Sequence, residues 1–526
     1  MKNGKGERSA ALMAELEKLA EVAPEHKRSF VKETAAFLAF LAVLGGVYVG
    51  YKTWAKQAGQ VFDTLREVRD IQRQDSYDKL KESKAKLEET MAVKQEGRLV
   101  SLLAETDVLL ACVHLEGGDT RADAEKWTAK AAADDVLREE RYSAEGYLKI
   151  CDGKAAEAEE YLARILNKGA SQPRIYHALG LAMMAQGKLV EADAVLKQAA
   201  EKGPGNPRFP YSYGEVLLRQ GQYWEAVQQY TRAVNINGSH VMARVGKALA
   251  EGMAGISAEK VLKDIEKALE GAPSQGEKAF AQYARAEIAV RSGFLDAGLQ
   301  FLADSEKQAG GKSDARHALL RGKIAALKGD EAAANKAFDD AAKREPGNSL
   351  SYFMPAALFI DLGKGDAALA RLQAYTKNRN AENPAYFALL GDAHALRGKA
   401  DDAAKAYQQA LEKDEGNVRA TMGTGRLLLE KKKWEEAGAL LEKVSTAWPN
   451  NGDPWFYMGG AYIEQKDPGY AAQMSDKAVE LYKKSNAEPR YLIRALKLSA
   501  KAHEMAKNKK DAEERVKAIQ ELEKIK

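Results

Sequence analysis

Residues 173–206 read PRIYHALGLAMMAQGKLVEADAVLKQAAEKGPGN, and their pattern decides the fold. Tyr176, Leu179 and Met183 lie three and four residues apart, which makes one apolar stripe on a helical period. Leu196 and Ala199 extend the pattern into a second helix. Gly180 and Ala192 are small where the two helices must approach closely. Gly187 stands at the turn between them, and Pro204 with Gly205 stops the second helix. Residues 207–240, PRFPYSYGEVLLRQGQYWEAVQQYTRAVNINGSH, repeat this grammar after 34 residues. A fixed period of that size predicts a solenoid of stacked helix pairs.

Further copies keep the phase. The first-helix glycine recurs as Gly146, Gly180, Gly214, Gly322, Gly391, Gly425 and Gly459. The second-helix alanine recurs as Ala158, Ala192, Ala226, Ala297, Ala334, Ala368, Ala403, Ala437 and Ala471. Pro346 and Pro449 repeat Pro204. Small residues at positions eight and twenty with a late proline resemble the tetratricopeptide repeat (TPR) family. Trp455 and Tyr462 match that family's aromatic positions four and eleven. The resemblance implies an all-α superhelix of helix pairs, with ten units over 139–485 starting near 139, 173, 207, 242, 278, 315, 349, 384, 418 and 452. The spacing slips over 242–311, where position eight is Leu249 or Arg285. Those helices cannot approach as closely, so this segment is expected to pack differently and act as a hinge.

Ahead of the array the chain changes character. Residues 1–33 form a charged tail in which Leu12, Leu16 and Leu19 share one helical face and Pro24 is expected to end the helix. This face is read either as solvated or as a docking segment. Residues 35–51, AAFLAFLAVLGGVYVGY, carry no charge, and Lys and aromatic residues flank them. That pattern predicts one membrane-spanning helix over 34–54, uncleaved because no small-residue cleavage site follows it. Gly46-x-x-x-Gly50 would let two spans pack closely, giving a weak self-association. The tail carries seven Lys/Arg and the first twenty residues beyond the span carry four. This bias places the N-terminus in the cytoplasm and the repeats across the membrane. Residues 55–97 read as a helical stalk, 98–138 as a divergent helix pair and 486–526 as capping helices.

Net charge is only +4, and no basic block interleaves with aromatics, so no nucleic-acid partner is expected. Two cysteines, Cys112 and Cys151, suggest neither a disulfide framework nor a metal site. With no phosphate loop, dinucleotide fingerprint or catalytic motif, no cofactor and no enzymatic activity are expected. The family resemblance implies a protein-binding groove lined by first-helix positions. In this sequence those positions include Tyr147, His177, Tyr211, Glu215, Arg219, Lys323, Phe353, Asp361, Arg426, Phe456 and Glu464. Aromatics and mixed charge suit an extended peptide or a partner helix. Position six lacks the asparagines of the chaperone-tail clamp found in some TPR domains, which argues against a mitochondrial import receptor. The layout resembles bacterial inner-membrane TPR proteins. It implies either a scaffold assembling a cell-envelope complex for secretion, motility or outer-membrane assembly, or a periplasmic holdase for exported proteins.

Overall fold

The computed structural model describes residues 4–133, 138–169, 171–311, 314–346, 348–377, 382–485 and 487–524, with backbone alone over most of 4–31. These residues form 26 helices and no strand. Contacts divide them into two units, one comprising the chain to Glu67 with Glu89–Glu96, the other Val68–Glu88 with Gly97 onward.

The first unit is built on the helix Gly4–Gln72. It runs through Pro24, where the sequence predicted a stop. A proline removes one backbone hydrogen bond, and helix formers on both sides carry the helix across. The expected apolar face of Leu12, Leu16 and Leu19 lies outside the described side chains. Farther on, Phe37, Val47 and Trp54 are exposed by 58%, 64% and 57%, although all three are large and apolar. Among the described residues this is the one helix long and apolar enough to cross a bilayer. The region expected as a stalk is a helical hairpin, because the chain reverses after Gln72 and returns as Tyr77–Val93. Thr64 and Thr90 share a hydrogen bond of 2.7 Å across its two helices.

In the second unit the repeat grammar takes physical form. A Cβ on Gly180 would stand 2.5 Å from Leu196, and one on Gly391 2.4 Å from Tyr407. The second-helix residues Ala192, Ala334, Ala403 and Ala437 are fully buried. The pairs turn through a left-handed residue. At Gly187 (φ 77°), its N–H bonds the Met184 carbonyl and the Lys188 N–H bonds the Met183 carbonyl. Lys432 and Lys466 make the same turn at φ 59° without glycine.

The slipped units shift their small residues and keep close packing. Ala297 is exposed, and Gly298 takes the buried place, where a Cβ would meet Val290 at 2.5 Å. In the unit before it the small partner sits on the first helix, since a Cβ on Gly252 would lie 2.5 Å from Ile288 and 3.2 Å from Val261. The segment is also buttressed from outside. The Gly276 N–H donates to the His114 carbonyl at 2.9 Å, and His114 Nδ1 lies 3.1 Å from Ser274 Oγ.

Two expectations fail in this unit. Residues 68–88, expected in the stalk, belong to the array, where Gln72 donates to Thr106 at 2.8 Å and Lys84 pairs with Asp107 at 2.8 Å. Cys112 and Cys151 form a disulfide, with Cα atoms 5.9 Å apart. Each closes a first helix, Gly97–Cys112 and Glu139–Cys151, and superhelical stacking brings those two ends together. The spacing of two cysteines along a chain carries no sign of that stacking.

Candidate functional site

Two cavities in the repeat array are lined by Tyr147, His177, Tyr211, Glu215, Arg219, Lys323 and Asp361 among the residues expected in a groove. At its N-terminal end the groove is filled by the chain itself. The turn after Gln72 inserts Asp75, whose carboxylate accepts from Arg208 Nε at 2.9 Å and lies 3.6 Å from His240. Burial alone would raise the Asp75 carboxyl, but Arg208 and His240 outweigh it and hold it well below the usual range. Glu105, also buried, accepts from Ser143 at 2.8 Å and from Arg174 at 2.5 Å.

Next to this ion cluster, Tyr147 OH, His177 and Ser212 Oγ form a chain with links of 2.5 and 2.7 Å. Burial, reinforced by the Arg208 charge, pushes His177 down to about 3, so the ring stays neutral. In a neutral ring one nitrogen accepts and the other donates, which satisfies both neighbours. Tyr147 and His177 are therefore fixed wall residues, 6% and 1% exposed.

Beyond them the groove opens into a cavity of about 410 Å³ lined by Leu218, Tyr223, Leu249, Met253, Phe280 and Tyr283. Glu215, Arg219 and Lys323 stand on its wall. Glu215 accepts from Tyr230 at 2.5 Å and lies 3.9 Å from Arg316. A second cavity of about 230 Å³, nearer Asp75, shares Glu215, Arg219 and Arg316 with the first. Tyr211 lines this second cavity, its ring 5.5 Å from His240 and 6.5 Å from Phe280.

Of the remaining expected residues, all but Asp361 lie apart from both cavities. Phe353 is buried 4.7 Å from the Tyr375 ring. Arg426 sits 3.5 Å from Asp392 and over the Tyr457 ring, while Phe456 lies under the Arg494 guanidinium at 4.3 Å. Glu464 is exposed. Asp361 is on the cavity wall and accepts from Tyr491 at 2.6 Å. Sequence reasoning missed Asp75 and the 487–491 segment, which lie outside the repeats and reach the groove only through the superhelix. Arg208 occupies a groove position and could have been named from it. Among the described residues no group of three or more His, Cys, Asp or Glu is placed to hold a metal ion.

Comparison with known proteins agrees with this geometry. Family models described as tetratricopeptide repeat match residues 143–207, 183–250, 356–417 and 397–452. Similar solved structures include yeast Tom70, at 16% identity and TM-score 0.40, covering 88% of this chain and 99% of that one. The Cut9–Hcn1 hetero-tetramer of the APC/C is similar at 14% identity and TM-score 0.41, covering 82% and 96%. The human IFIT1 dimer with m7Gppp-AAAA follows at 17% and 0.41, covering 80% and 99%. At these values the structures carry no argument about partners. In-phase glycines meeting large second-helix side chains, left-handed turns within each pair and the matched segments lead to one conclusion: the chain is a tetratricopeptide-repeat protein.

Proposed function

We propose that this protein is a non-enzymatic scaffold held in a bacterial inner membrane by its N-terminal helix, whose TPR arm binds proteins to assemble a cell-envelope complex. The observation that carries the reading is the open part of the groove, where Arg219 and Glu215 stand over an apolar floor of Leu218, Leu249 and Phe280. Such a wall suits an amphipathic protein segment rather than a nucleic acid, and aromatic rings supply contact area at low entropic cost. The exposed apolar face from Phe37 to Trp54 needs lipid around it. Two independent features support an arm outside the cytosol. One is the excess of Lys/Arg in the tail; the other is the Cys112–Cys151 disulfide, which an oxidising compartment preserves.

The test is crosslinking in the native cell followed by purification, comparing the natural chain with Arg219→Glu. A few stoichiometric partners, lost or reduced at least tenfold in the variant, are expected. Partners that ignore the change would count against the groove. The apolar floor also favours a second reading, a holdase for exported chains, and a broad unfolded clientele in the same experiment would select it.

A further inference from the structure

In a solenoid each pair normally touches only its neighbours. The junction before the last helix pair breaks that rule. The Ser485 carbonyl accepts from Arg291 at 2.7 Å across 194 residues of sequence. Glu488 pairs with Lys323 at 2.7 Å, and Tyr491 OH donates to Asp361 at 2.6 Å. Arg490 pairs with Glu488 at 3.0 Å and stands 3.6 Å from Asp361. The Pro489 ring faces Gly293, where a Cβ would lie 3.3 Å away. Lys323 and Asp361 stand on the wall of the large cavity, the surface proposed above to hold partners. Glu488, Arg490 and Tyr491 close one side of that cavity.

We infer that Lys323 and Asp361 form a peptide-recognition site that the chain itself fills with residues 487–491, so that a partner must displace this segment to enter the groove. The chemistry of the built-in occupant states what the partner carries. It has an acidic residue for Lys323 at a helix start and a tyrosine three positions on for Asp361. The inference rests on the reading of the groove as a protein-binding surface.

The two ends of the groove differ in how firmly they are closed. The Arg208–Asp75 pair is sealed, with side chains 10% and 9% exposed, and removing either partner would strand a buried charge. Lys323 and Arg490 remain 25% and 24% exposed and Asp361 29%, so water or an incoming carboxylate can take over their contacts. Such partly exposed polar contacts exchange at small net cost. The N-terminal plug is therefore permanent, and the C-terminal one is a latch.

The experiment measures binding of a fluorescent peptide of residues 487–497 to the full chain in detergent. The peptide should bind the Glu488→Gln, Tyr491→Phe chain at least tenfold more tightly than the natural one. Adding Lys323→Ala should abolish that gain, and pairing Lys323→Glu with Glu488→Lys should close the site again. Equal binding to natural and opened chains, or a gain that survives Lys323→Ala, would overturn the latch. Should the opened variant fail to fold, amide exchange in the natural chain decides. The start of the helix Pro489–Met505 should exchange faster than the start of Pro468–Lys484, and equal protection would overturn the inference. Stoichiometric partners with no peptide gain would keep the scaffold and remove the latch, whereas a gain without partners would do the reverse.

Discussion

Asp75 shows how much one residue outside the repeats can decide. It is buried against Arg208 and His240, and its left-handed φ of 43° is one that Asp and Asn tolerate better than other side chains. Asp75→Asn keeps that tolerance and removes only the charge, so thermal melting should report a loss of about 3–5 kcal/mol. Lys432 offers the opposite case, a lysine at φ 59° where most turns have glycine. Lys432→Gly should raise stability by roughly 0.5–1 kcal/mol, and an unchanged melting temperature would refute that. Asp107 supplies a pH dependence. Burial pushes its carboxyl up to about 6 against the pull of Lys84, from 3.8 when free. Between those values the folded arm holds a proton that the unfolded chain releases. The stability from neutral Asp107 is therefore complete below pH 3.8 and lost as the pH rises through about 6, a fall of roughly 2–3 kcal/mol. Denaturant titrations should show Asp107→Asn removing that fall; a profile unchanged from the natural chain would count against the assignment.

At the scale of elements, the segment 242–311 is where sequence and structure part most clearly. Leu249 and Arg285 at position eight predicted looser helices and a hinge. The structure instead moves the close contact to Gly252 and Gly298 and ties the segment to His114 through Ser274 and Gly276. Ser274 and Glu277 also cap the helix Gln275–Arg291 reciprocally. Hydrogen exchange should therefore find the helices Val241–Met253 and Gln275–Arg291 as protected as Pro173–Ala185, and faster exchange in both would restore the hinge. Local repeat chemistry was legible because it acts within a few turns of helix. Gly391 announces a close neighbour whichever unit contains it, and Tyr407 supplies that neighbour. Contacts made by superhelical curvature were not legible. Asp75 meets Arg208 across 133 residues, and nothing near either one marks the other. The same limit hid the disulfide, and it hid the contacts of Glu488 with Lys323 and of Tyr491 with Asp361.

For the molecule as a whole, the helical hairpin of Gly4–Gln72 and Tyr77–Val93 divides its residues between two tasks, and truncation can separate them. Phe37, Val47 and Trp54 are exposed and do no work in the arm. Val68, Leu80 and Leu87 are only 0%, 1% and 0% exposed, and Asp75 neutralises Arg208 inside the array. Deleting residues 1–55 should therefore release a soluble helical arm, because it removes the exposed apolar face and leaves the Asp75 turn intact. Deleting residues 1–96 would cut away buried leucines and strand the Arg208 charge, and each of those losses costs several kcal/mol. A solenoid sums its unit and interface terms, so the damage should fall first on the adjoining pairs, from Gly97–Cys112 to Arg208–Arg219. Circular dichroism melts should show a single cooperative transition for the shorter deletion. For the longer one an early partial transition or aggregation is expected. Identical melts for the two would mean that residues 56–96 contribute nothing to the arm, and that the Asp75–Arg208 contact is incidental to its folding.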